Sequence, residues 1–294
     1  MAGADTPPAA ARKTLAKRVV TGVVLIIIAL AAVRFGGIGF NALIAAATLI
    51  MFAEWSVMHR LGRAIRLAGL TLLAGVIFLI QMVSTGEVVM TLAAGAVVLG
   101  LFAGGYGATG TGDHDGSNSE RDLFVSRRDA FNTIAGVLYC GLPAISLIWL
   151  RGLTLGLEAV IFLLLCVWAA DIVAFFTGRA LGGPKLAPAI SPNKTWSGAI
   201  GGVVGAIVIA GGAAAVWLTG LGGKGFAYFF ALAGGLAVLS VLGDLLESGL
   251  KRRAGVKDSG TLLPGHGGVM DRLDGLVPVA IAGAGVFALT GWAG

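Results

Sequence analysis

Charge is scarce in this sequence. Only 12% of its 294 residues are Asp, Glu, Lys or Arg, whereas 57% are hydrophobic and the mean hydropathy is +0.92. So little polar surface cannot cover that much apolar volume in water, which excludes an ordinary soluble domain and leaves a polytopic membrane protein. Cysteine is nearly absent: Cys140 and Cys166 both lie in apolar runs and are expected as buried free thiols rather than a disulfide. No Cys or His cluster suggests zinc. The Gly/Asp/Ser-rich stretch 105–128 lacks the lysine of a phosphate-binding glycine loop and the spaced ligands of a calcium loop, so it is expected to be a flexible connector with a solvated His114. Glycine is abundant instead, at 48 residues without a collagen period, which suits helices packed backbone to backbone in lipid.

Apolar windows of about twenty residues fall near 19–33, 40–58, 65–83, 88–104, 130–150, 155–178, 196–219, 226–246 and 275–293. The expected fold class is therefore all-α, with about nine transmembrane helices. With the N-terminus cytoplasmic, the cytoplasmic loops collect eighteen of the 21 basic residues and the other side only Arg34, Arg151 and Lys224, the asymmetry that the positive-inside rule demands. Residues 1–18 read as a disordered basic tail, 19–150 as N-terminal transmembrane helices, and 151–294 as a C-terminal catalytic region with cytoplasmic loops. The run after the tail is expected to be a retained helix rather than a cleaved signal peptide. Gly198, Gly201, Gly202 and Gly205 form overlapping GxxxG spacings that mark close helix packing.

Into this hydrocarbon the stretch 244–274 packs five acids and five bases. Asp244, Glu247, Ser248, Lys251 and Arg252 are spaced i, i+3, i+4, i+7, i+8, so they share one face of a helix leaving the membrane. A glycine-rich turn follows, and Asp271 and Asp274 then resume helical spacing. Carboxylates facing each other from two segments repel unless a cation sits between them, and oxygen donors favour Mg²⁺ or a similar hard ion. Beside them Lys251, Arg252, Lys257 and Arg272 make a setting for polyphosphate. The glycines 265, 267 and 268 let backbone N–H groups approach an anion, and His266 either touches a phosphate or steadies the loop.

A second constellation spans 168–198. Asp171 falls inside an apolar segment with Arg179 near the same helix face, either as a site residue or as half of an internal tether, and Lys185, Ser191, Lys194 and Thr195 follow in a proline-punctuated loop. Glu54 is a third polar intrusion, read equally as interfacial or as part of a site.

Ser248, Lys251-Arg252, Lys257-Asp258, Gly260, Leu263-Pro264-Gly265-His266-Gly267-Gly268, Asp271-Arg272 and Asp274 fill every fixed position of S-x2-K-R-x4-K-D-x-G-x2-L-P-G-H-G-G-x2-D-R-x-D. In this the chain resembles the phosphatidate cytidylyltransferases. Asp171, Gly178-Arg179, Lys185 to Pro188, Ser191-Pro192, Lys194-Thr195-Trp196 and Gly198 are similar to that family's second block, with departures at Ser197 and at Ile172-Val173-Ala174. The resemblance implies the reaction CTP + phosphatidate → CDP-diacylglycerol + pyrophosphate for phospholipid biosynthesis, in a multi-pass homodimer of the cell membrane with its active site on the cytoplasmic side. It implies Mg²⁺, alone or with a second cation, on Asp244 and Asp271 with Asp274 close by. Asp171, Arg179, Lys185, Ser191, Lys194, Thr195, Ser248, Asp258, Gly265, His266, Gly267 and Gly268 are the expected substrate-binding residues. No nucleic-acid partner is expected. The alternatives are a membrane transferase acting on another lipid phosphate or lipid alcohol, and an ion-coupled transporter using Asp171, Asp244 and Asp271 as a path.

Overall fold

A computed structural model describes residues 9–109, 119–217, 225–262 and 267–290, with side chains over 21–105, 127–217, 225–262 and 267–290. Helices dominate: α1 (Ala9–Phe35), α2 (Gly37–Met58), α3 (Arg63–Leu79), α4 (Thr85–Thr109), α5 (Ser119–Gly152) and α6 (Gly156–Leu181) lead into a short β-hairpin. After it come α7 (Trp196–Ala206), a π-helical turn (Ile207–Gly211), α8 (Gly212–Trp217), α9 (Phe226–Ala254), α10 (Met270–Leu273) and α11 (Leu276–Leu289). Over its described residues each expected window is largely helical, with α3 ending at Leu79 before the 65–83 window does. Among the described residues six helices are long and apolar enough to cross a membrane, the stretch Trp196–Trp217 counting as one, while Thr21–Phe35 and Leu276–Leu289 are shorter apolar helices.

The expectation of an all-α chain needs one correction. Strands β1 (Lys185–Ala187) and β2 (Ser191–Thr195) pair antiparallel, with Lys185 opposite Thr195 and Ala187 opposite Ser191. Pro184, Pro188 and Pro192 deny this stretch a helix, and left-handed Gly182 (φ 61°) and Gly183 (φ 101°) stop α6 before it. The connector expected over 105–128 is also shorter than anticipated, because α4 runs on to Thr109 and α5 begins at Ser119; His114 lies outside the described residues.

Two buried clusters hold the helices together. One gathers Leu150, Leu163, Cys166, Phe229 and Val279; the other gathers Phe52, Trp55, Leu73, Leu92 and Cys140, and it draws in Met270 and Val277 from the C-terminal end. Both cysteines are free and buried, as expected. Large apolar side chains such as Ile27, Phe78, Val98, Phe176 and Leu246 face outward, as lipid contact requires. The GxxxG glycines seat α7 on α6: a Cβ on Gly202 would stand 2.6 Å from the Ala170 carbonyl oxygen, and one on Gly201 2.3 Å from Thr177 Oγ1. Beyond Ala206 the π-helical turn packs against both α6 and α9.

Candidate active site

The site begins where α9 leaves its apolar stretch. Helical spacing brings Ser248 Oγ to donate to Asp244 Oδ1 at 3.3 Å and sets Lys251 Nζ 3.3 Å from Glu247 Oε2. Glu247 is fully buried. Three basic residues in the last turn suit the negative end of the helix dipole, and Gly255, left-handed at φ 74°, ends the helix. The chain then returns through 256–269 into α10, which presents Asp271 to Lys251: Nζ donates to Asp271 Oδ1 at 2.6 Å.

Asp271 is held from three directions. Besides Lys251 it accepts from Ser259 N (3.0 Å to Oδ2) and Gly268 N (2.8 Å). Burial works to raise its pKa, but the Lys251 ammonium and these N–H groups together outweigh it and hold the carboxyl below the usual range. Gly267 adopts φ 81°, and a Cβ there would stand 2.7 Å from Asp271 Oδ2, so the backbone comes close because this residue is glycine. Asp274 behaves in the opposite way. Burial first, then the charge of Asp244, pushes its carboxyl up, against hydrogen bonds with Glu247 and Gly275 N and the charge of Lys194. The Glu247 carboxyl meets that of Asp274, and its Oε2 lies 3.3 Å from Lys251 Nζ.

The hairpin joins this cluster from the other side. Lys194 on β2 pairs with Asp244, and Arg252 Nε donates to Ile190 O in the hairpin turn at 3.5 Å. The two constellations separated in sequence thus meet in space. Asp171 on α6 lies within the field of Asp274, Asp244, Lys194 and Arg272; among the described residues no ion pair ties it to Arg179, so the tether reading fails. Thr195 has a structural task, since its hydroxyl caps α7 by accepting from Gly198 N at 3.1 Å and shares a 3.0 Å hydrogen bond with Ser197 Oγ, which donates to Gly182 O. Arg179, Lys185, Arg252, Lys257, Asp258 and Arg272 are exposed, and Ser191 is half-buried. Gly265 and His266 lie outside the described residues.

Sequence reasoning left Glu54 undecided and gave Glu247 no role. Glu54, on α2 and only 8% exposed, accepts from Val269 N (2.9 Å), Met270 N (2.9 Å) and Ser259 Oγ (3.1 Å). The signal was an acid inside an apolar run, shared by both residues.

Among the described residues no three Asp, Glu, His or Cys side chains gather closely enough to hold a metal ion unaided. The donors still fit Mg²⁺. They are all carboxylate oxygens, Asp244 and Asp271 carry lysine ammonium groups where positive charge is needed, and this ion is commonly held by one or two carboxylates plus substrate phosphates rather than by a protein cage.

The chain is similar to known proteins over most of its length. Residues 16–289 match the model of the cytidylyltransferase family. A phosphatidate cytidylyltransferase of Brucella abortus is 41% identical over 269 residues, 90% of each chain. Those of Helicobacter pylori (48% over 122 residues, 42% of this chain and 44% of the relative) and Bacillus subtilis (39% over 155 residues, 52% and 56%) match over shorter stretches.

Proposed function

The chain belongs to the cytidylyltransferase family, and on that premise we propose how its residues transfer the cytidylyl group of CTP to phosphatidate, giving CDP-diacylglycerol and pyrophosphate. The observation that carries the proposal is the meeting of two charged constellations through Lys194–Asp244 and Lys251–Asp271.

A phosphate oxygen of the lipid attacks the α-phosphorus of CTP. The new P–O bond forms as the bond from that phosphorus to the oxygen bridging to the β-phosphate breaks, and pyrophosphate leaves. The nucleophile is already ionised at neutral pH, so no general base is required, and catalysis reduces to alignment and charge neutralisation. Lys194 and Lys251 are the buried-edge cations placed to receive charge from the phosphates, with Arg252, Lys257 and Arg272 exposed around them. The backbone N–H groups of Ser259 and Gly268 fix the carboxylate of Asp271. Asp244, Asp271 and Asp274 would hold Mg²⁺, alone or with a second cation, which when bound supplies neutralisation of the triphosphate. Ser248, which donates to Asp244, orients that carboxylate.

The finer topology belongs to the same proposal: nine spans, an N-terminus in the cytoplasm, an active site at the cytoplasmic face of the cell membrane, and a homodimer. The eighteen-to-three division of basic residues supports the orientation. The test is purified full-length protein with CTP, Mg²⁺ and phosphatidate, scored for CDP-diacylglycerol. Asp244→Asn and Asp271→Asn should each abolish pyrophosphate release while leaving membrane insertion intact; wild-type-like turnover in either would overturn the metal assignment.

A further inference from the structure

We propose that Glu54 is the positioning residue of the catalytic loop: from α2, outside both charged constellations, its carboxylate clamps the two stems of the loop that holds Asp271.

The stems are 256–260 and 267–270, on either side of the glycine-rich turn. Glu54 reaches both. Oε2 accepts from Ser259 Oγ (3.1 Å) on the first stem and from Met270 N (2.9 Å) on the second, and Oε1 accepts from Val269 N (2.9 Å). Asp271 takes two further N–H groups of the same stems, Ser259 N and Gly268 N. Ser259 therefore serves both acids, its backbone facing Asp271 and its hydroxyl facing Glu54. A loop gripped by two carboxylates at the same two places has little freedom to carry Asp271 away from Lys251.

Two glycines of the signature motif follow from this arrangement. A Cβ on Gly260 would come 2.6 Å from Glu54 Oε1, and a Cβ on Gly268 would come 2.6 Å from Glu54 Oε2 and 2.1 Å from Ser259 Oγ. Both positions are small because the carboxylate lies against the backbone there. Glu54 is itself locked: Phe52 and Trp55 on either side of it are buried, and Trp55 Nε1 donates to Asn132 O on α5 at 2.8 Å. A buried carboxylate with three donors is a rigid support, since leaving any one of those donors unpaired carries a desolvation cost.

Glu54 acts through Asp271 and not on substrate, and the activity half of its test rests on the cytidylyl-transfer reading. The experiment uses the full chain in lipid nanodiscs and measures turnover per folded protein together with amide hydrogen exchange. Glu54→Gln keeps the shape but turns an amide toward one N–H donor. It should lower turnover about tenfold, the equivalent of one hydrogen bond to a charged acceptor, and speed exchange at Gly268 to Met270 by a similar factor at an unchanged global unfolding temperature. Glu54→Ala should lose about a hundredfold. Ser259→Ala added to Glu54→Ala should lose no more, because the hydroxyl works only through that carboxylate. Unchanged exchange at Gly268 to Met270 in Glu54→Gln overturns the clamp, as does full turnover of folded Glu54→Ala or losses that multiply in the double variant. Should the wild-type protein fail to make CDP-diacylglycerol, the exchange measurement still decides the clamp by itself.

Discussion

Replacing Lys251 by methionine removes the ammonium that serves both Glu247 and Asp271. The lysine side chain is 13% exposed, that of Asp271 6%, and that of Glu247 not at all. Removing one partner of a buried ion pair costs about 3–5 kcal/mol. Asp271 keeps the N–H groups of Ser259 and Gly268, and Glu247 keeps its contact with the Asp274 carboxyl, so the lower end applies and the loss should be about 3 kcal/mol. At about 2–4 °C per kcal/mol for a chain of this order of size, the unfolding midpoint should fall by roughly 6–12 °C. Adding Glu247→Leu removes the stranded carboxylate and should restore most of that midpoint, because a buried pair replaced on both sides by apolar groups is close to neutral. Turnover should stay low in the double variant, since the cation beside the phosphates is still missing. Thermal unfolding in detergent micelles, followed by tryptophan fluorescence, and a pyrophosphate-release assay separate the two effects. A wild-type midpoint in Lys251→Met would refute the argument that the pair matters to folding. Recovery of turnover together with stability would refute a role for Lys251 in the chemistry.

Three further outcomes are expected. Thr195→Ala removes the cap of α7 and should cost about 1 kcal/mol in thermal unfolding, while Thr195→Ser retains the cap. Gly202→Ala forces a methyl against the Ala170 carbonyl at 2.6 Å and should cost about 1–3 kcal/mol as α6 and α7 are pushed apart, measured by the same scans. His59 stacks on Trp55, and burial, aided by the Arg128 charge, lowers its pKa below the ordinary 6.5 against a hydrogen bond to the Trp55 carbonyl. The unfolded chain then takes up the proton first. Stability should decline as pH falls through 6.5 and level off below the folded-state value, and His59→Gln should flatten that part of the profile.

Much of this was legible because the signals were local. Apolar windows marked the helices, and the i, i+4 steps from Asp244 to Ser248 and from Glu247 to Lys251 announced the contacts seen on α9. What stayed hidden depended on distance along the chain. That Lys194 would meet Asp244, fifty positions later, has no local sign. The hairpin was missed because strands of three and five residues among prolines carry no alternation long enough to read. Glu54 looked the same as any acid at a membrane boundary until its three donors, all more than two hundred residues away, came into contact with it.

The π-helical turn at Ile207–Gly211 makes the span Trp196–Trp217 a splice of two seams with different phases. Before the turn the helix meshes with α6 through its glycines; at Gly211 its backbone meets Phe229 and Phe230 of α9. A wide turn of this kind is one residue out of step with the α-helical count. Forcing these residues into α-helical bonding with none removed would make the helix regular and yet rotate all that follows by about 100°, swinging the buried Ala214 and Ala215 away from their neighbours. The apparent irregularity is what keeps both seams in register at once.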